Sequence, residues 1–542
     1  MARAKGKERR IEGASLGAVL GTLPCMGFLL AVSLLLTSVL HPDSFGDLVA
    51  SAQVFWAEVW HGESHRATTL ALDHLLSVLE DASAGQEAAM AACRAHVGLV
   101  ADLDVIVDGV DFVERLRTTS DAAPSVQAVH HGDVESPGDL LEVFAVFFKE
   151  GAAAERTATD RGVFRELVRV AQGMDGARTA LGGNGALVAN RLAAEGCTVL
   201  LSAPIGERLQ PMLHKRVTAV SPPADVSASD LHEDVHLILE YARGASWNGL
   251  VSPRANRFIL TNDYANTALR VLDTFVDDFV TFGGNLVVVS GLQLLDGMRI
   301  DGRRAMFERM AAILDEVPRD VPIHFELASM ADVEMYREIV DILLPHVDSL
   351  GSNEQELEAL YHFLKSDTLD VVNPSMPEAD TATRHVDGVL ALLHERSVRT
   401  RALTRLHLHT LPFQLVAHAG DASRLWADAR VSAVAASLRG TRHTCGGRES
   451  IRVRDVALAM PPEYHVERTD GGPRTIAFDP ANASVCWRHN ELRLCLAPVL
   501  TCRRPTQTVG GGDNISATGL AWDVRRPTED DLPPEAPHGE DM

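Results

Sequence analysis

The sequence lacks an excess of positive charge. Its 542 residues include 50 Lys and Arg but 74 Asp and Glu, which gives a formal net charge of −24. Proteins that bind nucleic acids need a surplus of Lys and Arg against the phosphates, so this composition argues against a nucleic-acid partner. It does not exclude a nucleotide, because a single phosphate site needs only local donors and often a metal ion.

The sequence also lacks any pair of cysteines spaced C-x-x-C, which argues against a structural zinc site. Cys93 and Cys197 fall in elements predicted to belong to the core, and we expect them to be buried as small hydrophobic side chains. A disulfide is expected among the cysteines of the C-terminal quarter, with Cys445–Cys502 as the favoured pair. That quarter contains Cys445, Cys486, Cys495 and Cys502.

No charged residue occurs between Gly13 and Leu40, and a basic segment precedes this run. The pattern is typical of a secretory signal or a signal-anchor helix, and the lack of a small-x-small cleavage site favours the anchor. We therefore expect residues 1–40 to be a signal or signal-anchor segment and the only contact with a membrane. The rest of the chain is then expected in the endoplasmic reticulum lumen or on the luminal face of its membrane, or secreted if the segment is cleaved.

Short apolar runs separated by helical patterns, such as Arg303–Val317 and Val333–Leu344, dominate the middle of the sequence. Strands that alternate with helices predict an α/β fold with a mostly parallel sheet covered on both faces. The ligand site of such a sheet lies at the carboxyl ends of its strands. The predicted strands are Ala95–Val100, Cys197–Ser202, Leu286–Ser290, Ile323–Leu327, Val347–Leu350 and Leu403–His409.

Two segments have a more broken pattern, and parts of 104–150 and 206–258 are predicted to form a smaller lid. Within the second segment, Val235–Tyr241 alternates in part like a strand of a mixed sheet. The acidic, proline-containing C-terminus is predicted to be disordered. The remaining boundaries are a helical lead-in at 41–90, a main domain at 91–524, a loop at 366–387 and the tail at 525–542.

The glycine run Gly510-Gly511-Gly512 leads into Asp513 and a stretch of small residues typical of a helix. Glycines let the backbone approach an anion closely, and the first N–H groups of the helix point at it with the positive end of the dipole. Asp513 is then placed to take a proton from a substrate hydroxyl while the glycine N–H groups hold a phosphoryl group. The structural alternative is a plain connection between two elements.

Acidic residues also follow two of the predicted strands, at Glu326 and Glu356. Carboxylates near a phosphate site usually indicate Mg²⁺, held directly or through its waters. For Glu356 the alternative is the first turn of a helix, where the dipole favours acidic side chains. Glu326 is harder to explain in this way, because an acid inside an apolar strand needs a partner.

Longer collinear motifs extend from about Val97 to Trp522. They resemble those of the eukaryotic ADP-dependent glucokinases, which have a ribokinase-like fold. That fold has a large, mostly parallel α/β/α domain and a smaller α+β lid domain. The motifs are Gly151-Ala152-Ala153-Ala154-Glu155-Arg156, Gly182-Gly183-Asn184, His236-Leu237-Ile238-Leu239-Glu240-Tyr241, Ala255-Asn256-Arg257-Phe258, Ser290-Gly291-Leu292, Glu326-Leu327-Ala328-Ser329-Met330, Asn353-Glu354-Gln355-Glu356-Leu357 and Arg405-Leu406-His407-Leu408-His409-Thr410.

The resemblance implies a monomeric enzyme that transfers a phosphoryl group from ADP to the 6-hydroxyl of D-glucose, giving AMP and glucose 6-phosphate. The family's GxGD motif falls on Gly510, Gly512 and Asp513, with Asp513 as the general base and Gly511 in the same loop. The HxE motif falls on His324 and Glu326, and the NxxE motif falls on Asn353 and Glu356. The acids expected around Mg²⁺ are Glu326, Glu356 and Asp513.

The resemblance also implies which residues contact the ligands. His407 lies on a strand with Arg405 and His409, whose side chains either face the nucleotide phosphates or are hydrogen-bonded inside the fold. Arg257 is either a phosphate or lid residue or a member of a surface ion pair. The expected sugar contacts are Asp104, Glu155, Gly183 and Asn184, and the expected nucleotide contacts are Asn353 and His407.

Three positions depart from the family pattern. Val100 stands where relatives have Asn, Arg254 where relatives often have His, and Gln293 where another His is found. Losing one buried hydrogen-bond donor to a sugar costs about 1–3 kcal/mol. Two alternatives therefore stay open: a catalytically weakened homologue that binds sugar or nucleotide, and a ribokinase-like kinase with another donor or sugar.

Overall fold

The computed structural model describes His74, Ser77 and residues 92–525, except 120–125, 221–232, 297, 331, 370–376, 397–399, 447–450, 462, 470–471, 473, 478, 480, 483 and 504–509. These residues belong to one compact unit, Leu72–Met542. The predicted signal or anchor segment, nearly all of the lead-in and the acidic tail lie outside the described residues. Among the residues that are described, no helix is both long enough and apolar enough to cross a membrane.

The larger sheet has ten strands, and the predicted parallel arrangement is confirmed. Seven consecutive strands run parallel, and three antiparallel strands extend one edge. In spatial order they are Val485–His489, Leu492–Pro498, Phe413–Ala419, Arg405–His409, Ser349–Ser352, Ile323–Glu326, Leu286–Val289, Arg94–Gly98, Thr198–Ser202 and Val217–Ala219. Each predicted apolar run contains or overlaps one of the parallel strands.

Both faces of the larger sheet are buried, as parallel sheets require. Along Leu286–Val289, the side chains of Val287 and Val289 enter one apolar cluster and those of Leu286 and Val288 enter another. Helices cover both clusters. The described helices are Gly109–Thr119, Pro137–Glu150, Arg161–Gln172, Asn184–Ala194, Ala265–Ala268, Phe275–Phe282, Ile300–Asp315, Val333–Glu338, Glu354–Ser366, Ala379–Arg396, Ala429–Thr444 and Gly511–Asp523.

The smaller sheet is mixed, as predicted from Val235–Tyr241, which pairs antiparallel on one side and parallel on the other. Helices pack on it around a third apolar cluster that includes Phe144 and Phe258. Two of its strands, Ala154–Ala158 and Arg178–Gly182, lie outside the segments 104–150 and 206–258 that were predicted to form the lid. The smaller sheet therefore includes more of the chain than was predicted. Its strands, in spatial order, are Asp133–Val134, Ala154–Ala158, Asn256–Thr261, Val235–Tyr241, Asp102–Asp108 and Arg178–Gly182.

The chain passes between the two sheets several times, and these passages bring distant motifs together. Arg94–Gly98 ends in the larger sheet, and the chain enters the smaller sheet at Asp102. It returns through Gly183 into the helix Asn184–Ala194, which packs on the larger sheet. Residues at these passages therefore lie at the junction of the two sheets, next to the carboxyl ends of the parallel strands.

Two sequence predictions about local structure need correction. The predicted loop at 366–387 includes the start of the helix Ala379–Arg396, whose apolar residues pack in the main core. The predicted helix Val333–Leu344 is composite, because Val333–Glu338 is followed by a π-helical turn at Ile339–Leu343 and a 3₁₀ turn at Leu344–His346. Pro345 in that last turn has no N–H to continue an α-helix.

Three disulfides form among the described cysteines. Cys445–Cys502 is the pair favoured from the sequence, and it is confirmed. The expectation that Cys93 and Cys197 are free buried thiols was wrong, because they pair with each other between neighbouring parallel strands. The third disulfide joins Cys486 to Cys495, which face each other on antiparallel strands.

Candidate active site

The glycine run forms the start of the helix Gly511–Asp523, as the sequence predicted. Gly510 has a left-handed φ of 67°, and a Cβ there would lie 2.5 Å from Leu187 Cδ1, so both conformation and space require glycine. A Cβ on Gly511 would meet none of the described residues within 4 Å. A Cβ on Gly512 would lie 3.0 Å from the His409 ring. The helix N-terminus is therefore open at Gly511 and has an imidazole close beside Gly512.

Asp513 lies in the first turn of this helix and is buried. Its Oδ1 accepts a hydrogen bond of 2.9 Å from Nδ2 of Asn184, and Asn184 Oδ1 accepts one of 2.8 Å from Nε2 of Gln293. Burial raises the pKa of Asp513 to about 6, and the nearby charge of Glu326 adds to the shift. The structure thus joins the predicted base to a predicted sugar residue through one hydrogen bond.

Glu326 ends the strand Ile323–Glu326 with both carboxylate oxygens occupied. Oε1 lies 2.9 Å from His409 Nε2, while Oε2 lies 3.0 Å from His324 Nε2 and accepts a 2.5 Å bond from Ser516 Oγ. Burial works against ionisation, but the hydrogen bonds and charges of the two histidines hold the pKa of Glu326 well below its usual range. Glu326, an acid inside an apolar strand, therefore has the partners that its burial requires: His324, His409 and Ser516.

Asn353 and Glu356 form a reciprocal cap at the start of the helix Glu354–Ser366. The Asn353 side chain accepts from the N–H of Glu356, while Glu356 accepts from the Asn353 N–H at 2.8 Å and from its Nδ2 at 2.7 Å. This is the helix-start alternative considered for the motif. Burial raises the pKa of Glu356 to about 8, with further raising by Glu326 and Glu354 and partial opposition from His409.

The donor set around Asp513 fits a divalent cation. Glu326 contributes to the raised pKa of both Asp513 and Glu356, so the three acids lie close enough to interact electrostatically. Every carboxylate oxygen of Glu326 and Glu356 already accepts a hydrogen bond within the chain. Mg²⁺ usually keeps several of its waters, so these residues fit an ion held through water better than one held by direct bonds.

The placement of His407 does not fit the predicted contact with a nucleotide. Its ring is fully buried, its Nε2 lies 3.1 Å from Gln414 Oε1, and a Cβ on Gly519 would lie 2.7 Å from its Cε1. Burial and the charge of Arg405 lower its pKa well below the usual value. Arg405 is likewise internal and forms a buried ion pair with Asp523. His409 remains beside Gly512, at the mouth of the glycine loop.

The predicted sugar residues lie where the smaller sheet meets the larger one. Gly183 has a φ of 81°, and a Cβ there would lie 2.6 Å from Ala101 Cα, so only glycine fits. Burial raises the pKa of Asp104 to about 6 and also raises the pKa of Glu155. Arg257 lowers the pKa of both acids and also that of Asp513. The guanidinium of Arg257 therefore lies close enough to link the sugar acids electrostatically with the predicted base.

Sequence reasoning assigned no role to the neighbours of Asp104. Asp102 is two residues earlier on the same strand, and His236 is directly opposite Asp104 on the neighbouring strand. His236 Nδ1 lies 3.3 Å from Asp102 Oδ1, and its Nε2 lies 3.0 Å from Asp263. The alternation of charged and apolar residues in Asp102–Asp108 was the available signal, since residues i and i+2 of a strand share a face.

The departures from the family pattern have different environments. Val100 is buried, and its side chain fills the space beside Gly291, where a Cβ would collide with it. Val100 is therefore a packing residue that does not line an open site. Gln293 instead belongs to the hydrogen-bond chain that reaches Asp513.

A large, mostly parallel sheet, a smaller mixed sheet and a glycine-led helix that carries Asp513 together define a ribokinase-like fold. Solved structures support this fold. An ADP-dependent kinase in complex with fructose-6-phosphate and ADPβS superposes with a TM-score of 0.59 at 16% identity, covering 82% of this chain and 97% of that one. A phosphofructokinase from Pyrococcus horikoshii with AMP has a TM-score of 0.53 at 19% identity, covering 79% and 97%.

The conserved region of the ADP-specific phosphofructokinase/glucokinase family matches residues 93–522. The chain belongs to this family and is a kinase. It is 33% identical to the ADP-dependent glucokinase of Bos taurus over 438 residues, which cover 80% of this chain and 85% of that protein. It is 29% identical to a probable ADP-dependent glucokinase of Caenorhabditis elegans over 491 residues, covering 86% and 93%.

Proposed function

We propose that the chain is an ADP-dependent glucokinase, which transfers the β-phosphoryl group of ADP to the 6-hydroxyl of D-glucose and forms AMP and D-glucose 6-phosphate. The observation that carries this proposal is the 2.9 Å hydrogen bond between Asn184 and Asp513. It puts a predicted sugar residue in direct contact with the predicted base. The glucokinases of Bos taurus and Caenorhabditis elegans named above add support from sequence.

In this proposal Asp513 is the general base. Its carboxylate takes the proton of the 6-hydroxyl while the hydroxyl oxygen bonds to the β-phosphorus, and the bond from that phosphorus to the bridging oxygen breaks. A pKa of about 6 leaves Asp513 ionised at neutral pH yet basic enough for this transfer. The N–H groups at Gly511 and Gly512 face the phosphoryl group with the positive end of the helix dipole.

Glu326 and Glu356 would hold Mg²⁺ through its waters, with Asp513 beside them, because the oxygens of the two glutamates already accept hydrogen bonds. The ion would supply positive charge to the phosphate oxygens. Removing divalent cations with a chelator is expected to abolish turnover, and added Mg²⁺ is expected to restore it. Undiminished turnover in the chelator would contradict this part of the proposal.

Sugar contacts are assigned to Asp104, Glu155, Gly183 and Asn184. Asn353 is assigned to the nucleotide, and we replace His407 with His409 as the histidine that acts near the phosphates. Although burial opposes it, the hydrogen bond to Glu326 raises the pKa of His409. The raised pKa favours the protonated imidazole, which would add positive charge next to Gly512.

We also propose that the chain enters the secretory pathway and works as a monomer in the lumen of the endoplasmic reticulum or on the luminal face of its membrane. Three disulfides among the described residues favour an oxidising compartment. Protease protection in microsomes tests the location. Digestion of the chain without detergent would contradict it.

The decisive assay for the substrate pair is a panel of ADP, ATP and GDP against glucose, glucosamine and fructose 6-phosphate. We expect ADP with glucose to give the highest kcat/KM. Preference for ATP or for another acceptor would favour a different ribokinase-like kinase. Binding of glucose or AMP by calorimetry without any turnover would favour the weakened homologue.

A further inference from the structure

Three side chains on one face of the smaller sheet form a compact group that the proposed reaction does not use as a unit. Asp102 and Asp104 alternate on the strand Asp102–Asp108, and His236 pairs with Asp104 on the neighbouring parallel strand. One ligand atom of each residue lies within 4.8 Å of the others, and all three side chains are buried. The spacing brings two carboxylates and one imidazole to a single point.

The carboxylate of Asp102 is the least expected member of this group. It is fully buried, and neither of its oxygens has a hydrogen-bond partner, nor does Oδ2 of Asp104. The contact of Asp102 Oδ1 with His236 Nδ1, at 3.3 Å, is an ion-pair distance without a formed hydrogen bond. A buried carboxylate whose oxygens accept no hydrogen bond is costly, even beside an imidazole, and calls for a further cation or a proton.

The other side of the imidazole is already anchored. His236 Nε2 lies 3.0 Å from Asp263 Oδ2, and Asp263 Oδ1 accepts a 2.8 Å hydrogen bond from Asn266 Nδ2. A carboxylate behind a histidine fixes the ring so that its other nitrogen faces a metal, which is the usual arrangement around metal-binding histidines. Here the other nitrogen, Nδ1, lies 3.3 Å from Asp102 Oδ1.

At the end of the neighbouring strand Arg178–Gly182, two glycines let the backbone pass close to the carboxylates of Asp102 and Asp104. Gly182 and Gly183 pass next to the two carboxylates, and a Cβ on Gly182 would collide with the oxygens of both. A Cβ on Gly183 would lie 2.9 Å from Asp102 Oδ2. Glycine at both positions therefore keeps side-chain atoms out of the space next to the acids.

We propose that Asp102, Asp104 and His236 form a binding site for Zn²⁺, separate from the magnesium position near Glu326 and Glu356. One imidazole nitrogen and two carboxylate oxygens form a three-ligand set of the kind that zinc accepts while keeping an open position. Mg²⁺ prefers oxygen ligands and retains its waters, so it is a poorer match for a buried site that contains histidine.

Occupancy of this site has a consequence that rests on the proposed function. Asp104 is also a proposed sugar contact, and a carboxylate oxygen bound to zinc is no longer available to a sugar hydroxyl. Zinc and glucose then compete for the enzyme. Zinc binding itself depends on no step of the reaction, so it can be measured without turnover.

The test is calorimetric titration of Zn²⁺ into the chelator-treated full-length chain with saturating Mg²⁺ present. We expect one equivalent of zinc to bind, Asp102→Asn to weaken it at least tenfold, and Asp111→Asn, an exposed change on the helix that follows the strand, to leave it unaltered. Equal zinc affinity in the unmodified chain and in Asp102→Asn, or no binding by the unmodified chain, would overturn the proposal.

A second measurement avoids the risk that Asp102→Asn fails to fold. Co²⁺ added to the unmodified chain is expected to give a visible absorption band that one equivalent of Zn²⁺ removes, and absence of the band would overturn the site. Saturating glucose is expected to weaken zinc binding. If zinc binds but glucose has no effect, the zinc site is supported and the assignment of Asp104 to the sugar fails.

Discussion

Asn184 donates a 2.9 Å hydrogen bond to Asp513, although 329 positions separate the two residues in the chain. The direction of this hydrogen bond also determines the direction of the hydrogen bond between Asn184 and Gln293. An ionised carboxylate only accepts, so Asn184 presents Nδ2 to Asp513 and Oδ1 to its other side. Oδ1 accepts from Nε2 of Gln293 at 2.8 Å. Gln293 therefore orients the amide that holds the predicted base.

Replacing Gln293 with Glu is expected to reverse the orientation of the Asn184 amide, and with it the two hydrogen bonds that join residue 293, Asn184 and Asp513. Glutamate has no N–H to give, so Asn184 turns Nδ2 toward residue 293 and presents Oδ1 to Asp513. Losing a hydrogen bond to a charged group costs about 1.5–3 kcal/mol, or about one to two pKa units. The acidic limb of the kcat/KM profile should move to higher pH by that amount. Gln293→His is the control, because an imidazole N–H restores the donor, and an unchanged profile in Gln293→Glu would contradict the relay.

The unmodified enzyme should itself show an acidic limb near pH 6. The pKa of Asp513 is raised to about 6 by burial and by the charge of Glu326. A general base works only when it is deprotonated, so kcat/KM should fall as pH drops through this value. The profile is measured at saturating Mg²⁺ with a stability control at each pH. A profile that stays flat well below pH 6 would show that Asp513 does not set the protonation state of the reaction.

Arg405→Met is expected to damage stability without damaging the nucleotide site. The Arg405–Asp523 pair is fully buried, and Arg405 Nε lies 2.6 Å from Asp523 Oδ2. Removing one partner of a buried pair costs about 3–5 kcal/mol, and His418, whose Nε2 lies 3.0 Å from Asp523 Oδ2, places the expected loss at the lower end of that range. Chemical denaturation measures this loss. Below the unfolding transition, the KM for ADP should stay within about twofold of the unmodified value.

His409→Gln provides the contrasting change. It removes the imidazole beside Gly512 and one partner of Glu326. We therefore expect kcat to fall by more than the loss of folded protein accounts for. His407→Gln, which changes a fully internal ring on the same strand, is the matched control. If the His407 variant loses more nucleotide affinity than the His409 variant, the assignment of His409 in place of His407 to the phosphate site is wrong.

The disulfide between Cys93 and Cys197 closes a loop of 104 residues and joins two neighbouring strands of the larger sheet. Replacing both cysteines with Ala is expected to lower the free energy of unfolding by about 2–5 kcal/mol. Peptide mapping without reduction should recover Cys93 with Cys197, Cys445 with Cys502 and Cys486 with Cys495. Recovery of Cys93 and Cys197 as free thiols would refute the pairing.

The sequence predicted the larger sheet well because its strands carry strong local signals. Apolar runs such as Leu286–Ser290 are bounded by helices and turns, and a parallel strand buried on both faces needs just such a run. The glycine loop was equally readable, because three consecutive glycines directly before a stretch of small residues indicate a loop that leads into a helix. These features depend on neighbours in sequence and on simple periodicity.

The features that the sequence did not predict depend on contacts between distant segments. His407 and His409 alternate on one strand, so sequence alone could not decide which ring meets Gly512 and which is enclosed beneath Gly519. The pairing of Cys93 with Cys197 required knowledge that their strands are neighbours. The group formed by Asp102 and His236 likewise depends on the parallel register of two strands more than 130 positions apart.

The central claim is that ADP phosphorylates glucose with Asp513 as the base. The most direct measurement is chromatographic detection of AMP and glucose 6-phosphate formed from ADP, glucose and Mg²⁺ by the full-length chain and by Asp513→Asn. We expect equal amounts of the two products from the unmodified chain and a rate at least about 100-fold lower from the folded variant. No glucose 6-phosphate from the unmodified chain, or an undiminished rate in Asp513→Asn, would contradict the claim.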